Sequence, residues 1–244
     1  MIKRSETLVI LMNLGGPSDL SAVKDFLFSL FYDKNIISIP NPFRWIIAKI
    51  ISGFRNKKAM EIYKMIGGGS PILKETELQA NALEKMLGKN FKVLVLMRHS
   101  QPNSKNVIEQ IKNHTPKNII LLPLYPQFST TTTKSAIEDI CGEIENIGLK
   151  TDIRTICCYP TEDNMVKAYA QNIMEKYREL KNKNNFIILF SAHGLPQKIV
   201  DKGDPYVWQV KETVDEVVKS LKIKHLEYKI TYQSRVGPTK WISP

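Results

Sequence analysis

Residues 7–17 read TLVILMNLGGP, a largely apolar run over 7–14 that ends in Gly-Gly-Pro. A strand that is buried on both faces of a sheet has this pattern, because neither face needs polar side chains. Five similar runs follow along the chain, at residues 91–98, 118–124, 152–157, 186–191 and 227–232. These runs predict a sheet of parallel strands.

Amphipathic stretches separate the strands, and three of them carry helix start signals. Ser18 is predicted to cap the first helix, and Thr161 precedes a second. Asp204 with Pro205 begins a third, as a cap and a first-turn proline. Alternating strands and helices predict an α/β fold with right-handed crossovers, in which ligands bind beyond the carboxyl ends of the strands.

The chain has 244 residues, a length that suits one large domain or two small ones. Hydrophobic residues make up 43% and charged residues 24%, which excludes collagen-like, coiled-coil and largely disordered classes. The net charge of +11 is spread over the whole chain without a basic-aromatic pattern, so we predict no nucleic-acid partner. The three cysteines are too few for a disulfide framework and indicate a reducing cytoplasm.

Polar and aromatic residues follow several strands at the point where each run ends. Arg98 and His99 follow the second run, Tyr125 and Ser129 follow the third, and His193 follows the fifth. Carboxyl ends of parallel strands share one edge of a sheet, so this edge is the candidate active site. By residue type alone a histidine is usually a packed or surface residue. The strand-end position of His193, however, favours metal binding or proton transfer.

Two further segments have competing interpretations. Gly67-Gly68-Gly69 lacks the spacing of a phosphate-binding loop, and a tight turn with positive φ is favoured instead. Residues 35–54 are rich in isoleucine and aromatic side chains, which usually indicates a core helix. Their prolines and the lack of a following strand favour an inserted, partly exposed apolar flap. Such a flap indicates binding of an apolar ligand or of a membrane surface.

Five motifs occur in an order that resembles the ferrochelatases, the terminal enzymes of haem synthesis. They are LMNLGGP (11–17), Arg55 followed by Tyr63 and IGGGSPI (66–72), LPLYPQFSTTTT (122–133), FSAHGLP (190–196) and YQSRVGPTKWISP (232–244). The resemblance covers essentially the whole chain. It implies two Rossmann-like parallel-sheet domains of the chelatase type with a porphyrin in the cleft between them. The first would span 1–150, including the lip 35–54, and the second, incomplete, 151–244.

The resemblance also implies the reaction and its residues. Fe²⁺ is inserted into protoporphyrin IX to form protohaem, the last step of haem biosynthesis, with loss of two pyrrole protons. His193 would be the catalytic residue and the metal-binding residue, as a base or as a transient iron ligand. The family's porphyrin-binding positions correspond to Leu14, Arg55, Tyr63, Arg98, Tyr125, Ser129 and Trp241. The lip touches the membrane in some members, so the expected location is cytoplasmic with peripheral contact at the inner membrane.

Three departures from the family pattern refine these expectations. Coproporphyrin-type members tend to carry Tyr where Leu14 stands, so Leu14 favours protoporphyrin IX. The C-terminal cysteines of iron–sulfur members are missing and Thr130 follows Ser129, so no cluster or other prosthetic group is expected and Fe²⁺ is a substrate. The sequence stops at Pro244, before the family's His-Ile-Glu motif, so we expect a truncated chain that is inactive by itself.

The alternatives are a coproporphyrin III ferrochelatase, a cobalt or nickel chelatase, and a non-catalytic tetrapyrrole-binding fragment. An assay of metal insertion into protoporphyrin separates the enzymes from the binding fragment.

Overall fold

A computed structural model describes residues 7–114, 116–181, 186–235 and 239–243. It is an α/β fold with a four-stranded and a two-stranded parallel sheet. The chain divides into two compact units. The first comprises Met1–Tyr125 and Thr130–Cys157, and the second comprises Pro126–Ser129 and Cys158–Pro244. The change of unit near Cys157 lies beyond the boundary predicted after residue 150, because the strand Asp152–Thr155 pairs with the first sheet.

The first unit contains the larger sheet and most of the helices. Its elements are β1 (Thr7–Asn13), α1 (Val23–Tyr32), α2 (Phe43–Met65), α3 (Ile72–Leu87), β2 (Phe91–Met97), α4 (Ser104–His114), β3 (Asn118–Pro123), a π-helical turn (Thr130–Lys134), α5 (Ser135–Asn146) and β4 (Asp152–Thr155). The strand order is β2-β1-β3-β4, and every pairing is parallel.

The core of this unit lies on both sides of β1. Ile10 is fully buried in a cluster with Ile111 of α4 and Ile140 of α5. Val9 belongs to the opposite cluster, which includes Ala80 of α3. Two-sided burial explains why the β1 sequence does not alternate. The edge strand β4 is mostly exposed, so the expectation of two-sided burial is wrong for β4.

Two capping details differ from the prediction. Asp19, rather than Ser18, makes the side-chain bonds before α1, because its Oδ1 accepts from the N–H groups of Ser21 (2.8 Å) and Ala22 (3.2 Å). Glu162, rather than Thr161, caps the helix that follows β4, accepting from the N–H of Met165 at 2.8 Å. Glu162 thus satisfies an N–H group that this helix leaves free, whereas Asp19 holds the turn before α1, whose N-cap Ala22 has no side-chain cap bond.

The second unit contains α6 (Asp163–Glu179), β5 (Ile188–His193), α7 (Gln197–Asp201), α8 (Tyr206–Leu221) and β6 (Tyr228–Gln233). Strand β5 pairs with β6 in parallel, so that His193 lies opposite Gln233. Residues along β5 alternate between half-buried and exposed, and Leu189 is 57% exposed. The expectation of two-sided burial is therefore wrong for this strand, because one of its faces is open to solvent in the described part of the chain.

Helix α2 contains most of the predicted apolar flap and leaves much of it exposed. Phe43, Trp45, Ile50 and Phe54 are each at least 47% exposed, whereas the buried positions of the helix are Ala48 and Ser52. The segment therefore is helical from Phe43 but does not form a core helix, as the flap hypothesis predicted. Among the described residues, no helix is long and apolar enough to cross a membrane.

Candidate active site

His193 is the last residue of β5 and its side chain is exposed at the carboxyl end of the strand. Its Nδ1 lies 2.6 Å from the carbonyl oxygen of Gly194. A carbonyl oxygen can only accept a hydrogen bond, so a neutral imidazole in this geometry carries its proton on Nδ1. The lone pair is then on Nε2, where it can accept a proton or bind a metal ion.

Gly194 and Trp241 shape the surroundings of this histidine. The N–H of Gly194 donates to the carbonyl oxygen of Gln233 at 2.7 Å. A Cβ on Gly194 would lie 2.9 Å from that oxygen and 3.3 Å from the Trp241 ring, so a side chain has no room here. The backbone of Trp241 also forms an antiparallel β-bridge with Pro196, which holds this residue against the loop that follows His193.

Ser129 is buried in the second unit, where it is 2% exposed and donates to Asp204 Oδ2 at 3.1 Å. The structure thus places this predicted porphyrin-binding residue in a buried hydrogen bond. Asp204 was predictable only as a helix start signal, because no local pattern in the sequence relates it to Ser129.

Arg98 lies at the carboxyl end of β2 in the first unit and is bound by three side chains. Its Nη2 lies 3.1 Å from Asp33 Oδ2, its Nη1 lies 3.4 Å from Asp139 Oδ1, and its Nε donates to Ser135 Oγ at 2.8 Å. Ser135 Oγ in turn donates to Asp33, whose side chain has no solvent exposure. Sequence reasoning missed Asp33, Ser135 and Asp139, although a charged residue directly after the apolar stripe of α1 is one signal that points to Asp33.

His99, next to Arg98, is 4% exposed, and its Nδ1 lies 3.2 Å from Ser29 Oγ. Burial and the neighbouring Arg98 guanidinium lower the pKa of His99 to about 4, and Asp33 only partly opposes this shift. His99 is therefore a neutral, buried side chain at physiological pH. Its strand-end position was predicted correctly, but its imidazole faces the interior.

The depressed pKa of His99 predicts a pH-dependent stability. Between about pH 6.5 and 4 the unfolded chain binds a proton that the folded chain does not, so the free energy of unfolding falls as the pH is lowered. Urea unfolding at pH 7 and pH 4.5 measures this loss. We expect the loss of unfolding free energy between pH 7 and pH 4.5 to be about 2 kcal/mol smaller in His99→Gln than in wild type. An identical pH dependence in both proteins would contradict the assignment.

Tyr125 follows β3 in the same unit and is close enough to Arg98 to feel its charge. Burial raises the pKa of the Tyr125 hydroxyl well above its usual value, and the Arg98 charge only partly opposes this. The hydroxyl oxygen is buried and has no hydrogen-bond partner among the described residues. The fold thus makes neighbours of two predicted site residues, Arg98 and Tyr125.

The other predicted residues of the first unit lie directly after β1 or on α2. Leu14 follows β1, is half-buried, and accepts from the N–H of His99 at 3.0 Å. Arg55 is exposed on α2, with its guanidinium 5.6 Å from the centre of the Phe31 ring. Tyr63 packs against the cluster that contains the buried residues of α1, and burial raises the pKa of its hydroxyl.

The glycine motif after α2 is a turn, as predicted, with φ of 102° at Gly67 and 93° at Gly68. Gly69 is required for a different reason, because a Cβ there would collide with the backbone oxygen of Ser18. We expect Gly69→Ala to destabilise the protein by about 1–3 kcal/mol in urea unfolding. Gly53→Ala, in open space on α2, is the matched control and should stabilise by up to about 1 kcal/mol. Equal effects of both substitutions would contradict the close contact.

Fold and site together define an α/β protein with an exposed histidine at the carboxyl end of a parallel strand. The sequence profile of the ferrochelatase family matches residues 6–244. The chain is 53% identical over 240 residues to the ferrochelatase of Rickettsia felis, an alignment that covers 97% of this chain and 68% of that protein. It is 48% identical over 241 residues to the ferrochelatase of Wolbachia sp. subsp. Drosophila simulans, covering 97% of this chain and 76% of that protein. The chain therefore belongs to the ferrochelatase family, which are lyases of haem biosynthesis.

Proposed function

We propose that the protein inserts Fe²⁺ into protoporphyrin IX and so forms protohaem, the last step of haem biosynthesis. The observation that carries the proposal is His193, an exposed imidazole with its Nδ1 bonded to a backbone carbonyl and its Nε2 lone pair free. The ferrochelatases of Rickettsia and Wolbachia, which the chain resembles at about half of all positions, support the same reaction.

The reaction requires two pyrrole N–H protons to leave as Fe²⁺ enters the macrocycle, so the products are protohaem and two protons. The Nε2 lone pair of His193 can take up one of these protons, or it can hold Fe²⁺ until the metal is transferred. Either role uses the same atom, and both need the Nε2 lone pair that a proton on Nδ1 leaves available.

Other residues supply the contacts that a porphyrin needs. A flat apolar macrocycle binds against aromatic side chains, and we assign Trp241, beside His193 in the second unit, to this role. The unpartnered hydroxyl of Tyr125 and the half-buried Leu14 and Tyr63 are assigned to the porphyrin site in the first unit. Arg98 is bonded to Asp33, Asp139 and Ser135, so we assign it to holding these segments together at the edge of the first sheet.

Arg55 is the proposed contact for the porphyrin propionates, because its guanidinium is exposed on α2 and stacked over Phe31. We expect Arg55→Leu to weaken protoporphyrin binding by about tenfold to a hundredfold, the loss of one charge-assisted hydrogen bond. Quenching of intrinsic fluorescence by added porphyrin measures the affinity. Lys58→Leu, also exposed on α2, is the control and should change it less than about twofold. Unchanged affinity in Arg55→Leu would show that the arginine is misassigned.

We further propose that each unit follows the Rossmann-like plan and that the protein needs no prosthetic group or iron–sulfur cluster, since Fe²⁺ is a substrate. The proposed location is the cytoplasm, with peripheral contact at the inner membrane through residues 35–54. The exposed Phe43, Ile50 and Phe54, together with exposed Lys49, support this contact.

The test is a metal-insertion assay on the product of the complete gene, with Fe²⁺ and either protoporphyrin IX or coproporphyrin III. We expect faster turnover of protoporphyrin IX. Faster turnover of coproporphyrin III would overturn the substrate assignment, and tight porphyrin binding without turnover would indicate a carrier. The expectation that residues 1–244 alone are inactive stays a prediction. The same assay, performed on residues 1–244, tests it.

A further inference from the structure

Tyr206, the first residue of α8, contacts the backbone of the proposed catalytic histidine. The backbone N–H of His193 faces the Tyr206 hydroxyl and partly offsets the burial that raises the pKa of Tyr206. Both side chains line one cavity of about 470 Å³ in the second unit, with Tyr169 of α6 and Val210 and Val214 of α8 among its other walls. The first turn of α8 is thus linked directly to the end of β5.

Asp204 fixes the beginning of α8 and is itself bound by Ser129 of the segment Pro126–Ser129. Its Oδ1 accepts from the N–H of Tyr206 at 3.0 Å, and its Oδ2 accepts from the hydroxyl of Ser129 at 3.1 Å. Ser129 and Asp204 are 2% and 7% exposed, so these bonds are shielded from water. A shielded bond to a carboxylate is stronger than a surface one and holds its partners in place.

The next turns of α8 are held by the same segment. The N–H of Phe128 donates to Gln209 Oε1 at 2.7 Å, and Gln127 Nε2 donates to Thr213 Oγ1 at 2.8 Å. Gln209 and Thr213 are four residues apart and lie on one face of the helix. The segment Pro126–Ser129 therefore holds this face of α8 along more than one turn.

We propose that Ser129, Asp204 and Tyr206 form a positioning chain that holds the end of β5 so that His193 presents its Nε2 lone pair. This inference rests on the proposed function, and it assigns Ser129 to holding α8 and not to contact with the porphyrin. Tyr206 acts through His193, so it is a positioning residue and not a catalytic one.

The positioning chain affects His193 through the peptide group that follows this residue. The imidazole keeps its proton on Nδ1 because the Gly194 carbonyl lies 2.6 Å away. That carbonyl belongs to a residue whose N–H is bonded to Gln233 on β6, so its direction depends on how the end of β5 is held. Without the Tyr206 hydroxyl, the contact with the His193 backbone at this strand end is lost, and the imidazole can exchange between its two neutral forms.

The test is Tyr206→Phe, which removes one hydroxyl and keeps the ring in the cavity. We expect kcat for iron insertion to fall by about five- to tenfold, with KM for porphyrin changed less than about twofold. The ¹⁵N chemical shifts of the His193 ring should show a smaller population of the form protonated on Nδ1. Tyr169→Phe, in the same cavity, is the matched control and should change neither readout.

A second pair of variants tests the chain one step earlier. Asp204→Asn keeps an acceptor for the N–H of Tyr206 and should retain the His193 ¹⁵N signals, whereas Asp204→Ala should shift them as Tyr206→Phe does. Unchanged signals in Tyr206→Phe, or a kcat within about twofold of wild type, would overturn the proposal. If the wild-type protein inserts no iron, the proposed function fails, and the ¹⁵N signals still decide whether the chain positions His193.

Discussion

Iron insertion is expected to fall by about a thousandfold or more in His193→Ala, while the affinity for protoporphyrin stays within about tenfold of wild type. The imidazole supplies the lone pair on Nε2, and no alanine atom can accept a proton or bind Fe²⁺ in its place. Porphyrin affinity changes little because the macrocycle is bound by many side chains, of which His193 contributes one neutral contact. Turnover by stopped assay and affinity by fluorescence quenching measure the two effects separately.

His114→Ala is the matched control for this experiment. The Nδ1 of His114 lies 2.7 Å from the backbone oxygen of Gln110, so the variant also loses an imidazole bonded to a carbonyl. His114 ends α4 in the first unit, and its removal should leave turnover within about twofold of wild type. Turnover near wild type in His193→Ala would overturn the proposed role of His193.

Asp33→Ala is expected to lower the free energy of unfolding by about 3–5 kcal/mol. The Asp33 carboxylate has no solvent exposure and neutralises the Arg98 guanidinium, which is itself only 19% exposed. Its removal leaves a largely buried cation with only Asp139 as a charged partner, and it removes the acceptor for the Ser135 hydroxyl. Urea unfolding of the complete-gene product at pH 7 measures the change.

The matched control is Glu138→Ala on α5. Glu138 pairs with Lys34 at 3.1 Å, but both side chains are more than a third exposed, so water screens the pair. Its loss should cost less than about 1 kcal/mol. A cost below about 1 kcal/mol for Asp33→Ala as well would show that the buried network contributes little.

The strands β1 and β2 were predictable because burial leaves apolar residues at nearly every position of the strand. The runs at 7–14 and 91–98 correspond to β1 and β2, and each strand ends one residue before its run. Helix caps were less predictable, since Ser18 and Asp19 both have the side-chain oxygens that a cap requires. The choice of Asp19 depends on which oxygen reaches the free N–H groups.

The surroundings of the site residues could not be predicted in the same way. Asp33, Arg98, Ser135 and Asp139 are far apart in the chain, and no local pattern relates them. They meet because parallel strands and their crossovers bring segments to one edge of the sheet. The bond from Ser129 to Asp204 likewise joins residues 75 positions apart.

By itself, the sequence determined the class of fold, the strand-end position of His193 and the family motifs, because apolar periodicity and short motifs are local properties of the chain. Only the tertiary structure decided that Arg98 is bound by two carboxylates, that Ser129 is buried and that Tyr206 lies beside the backbone of His193. The physical reason is that hydrogen bonds and desolvation act over a few ångströms in space, whatever the separation of the residues along the chain.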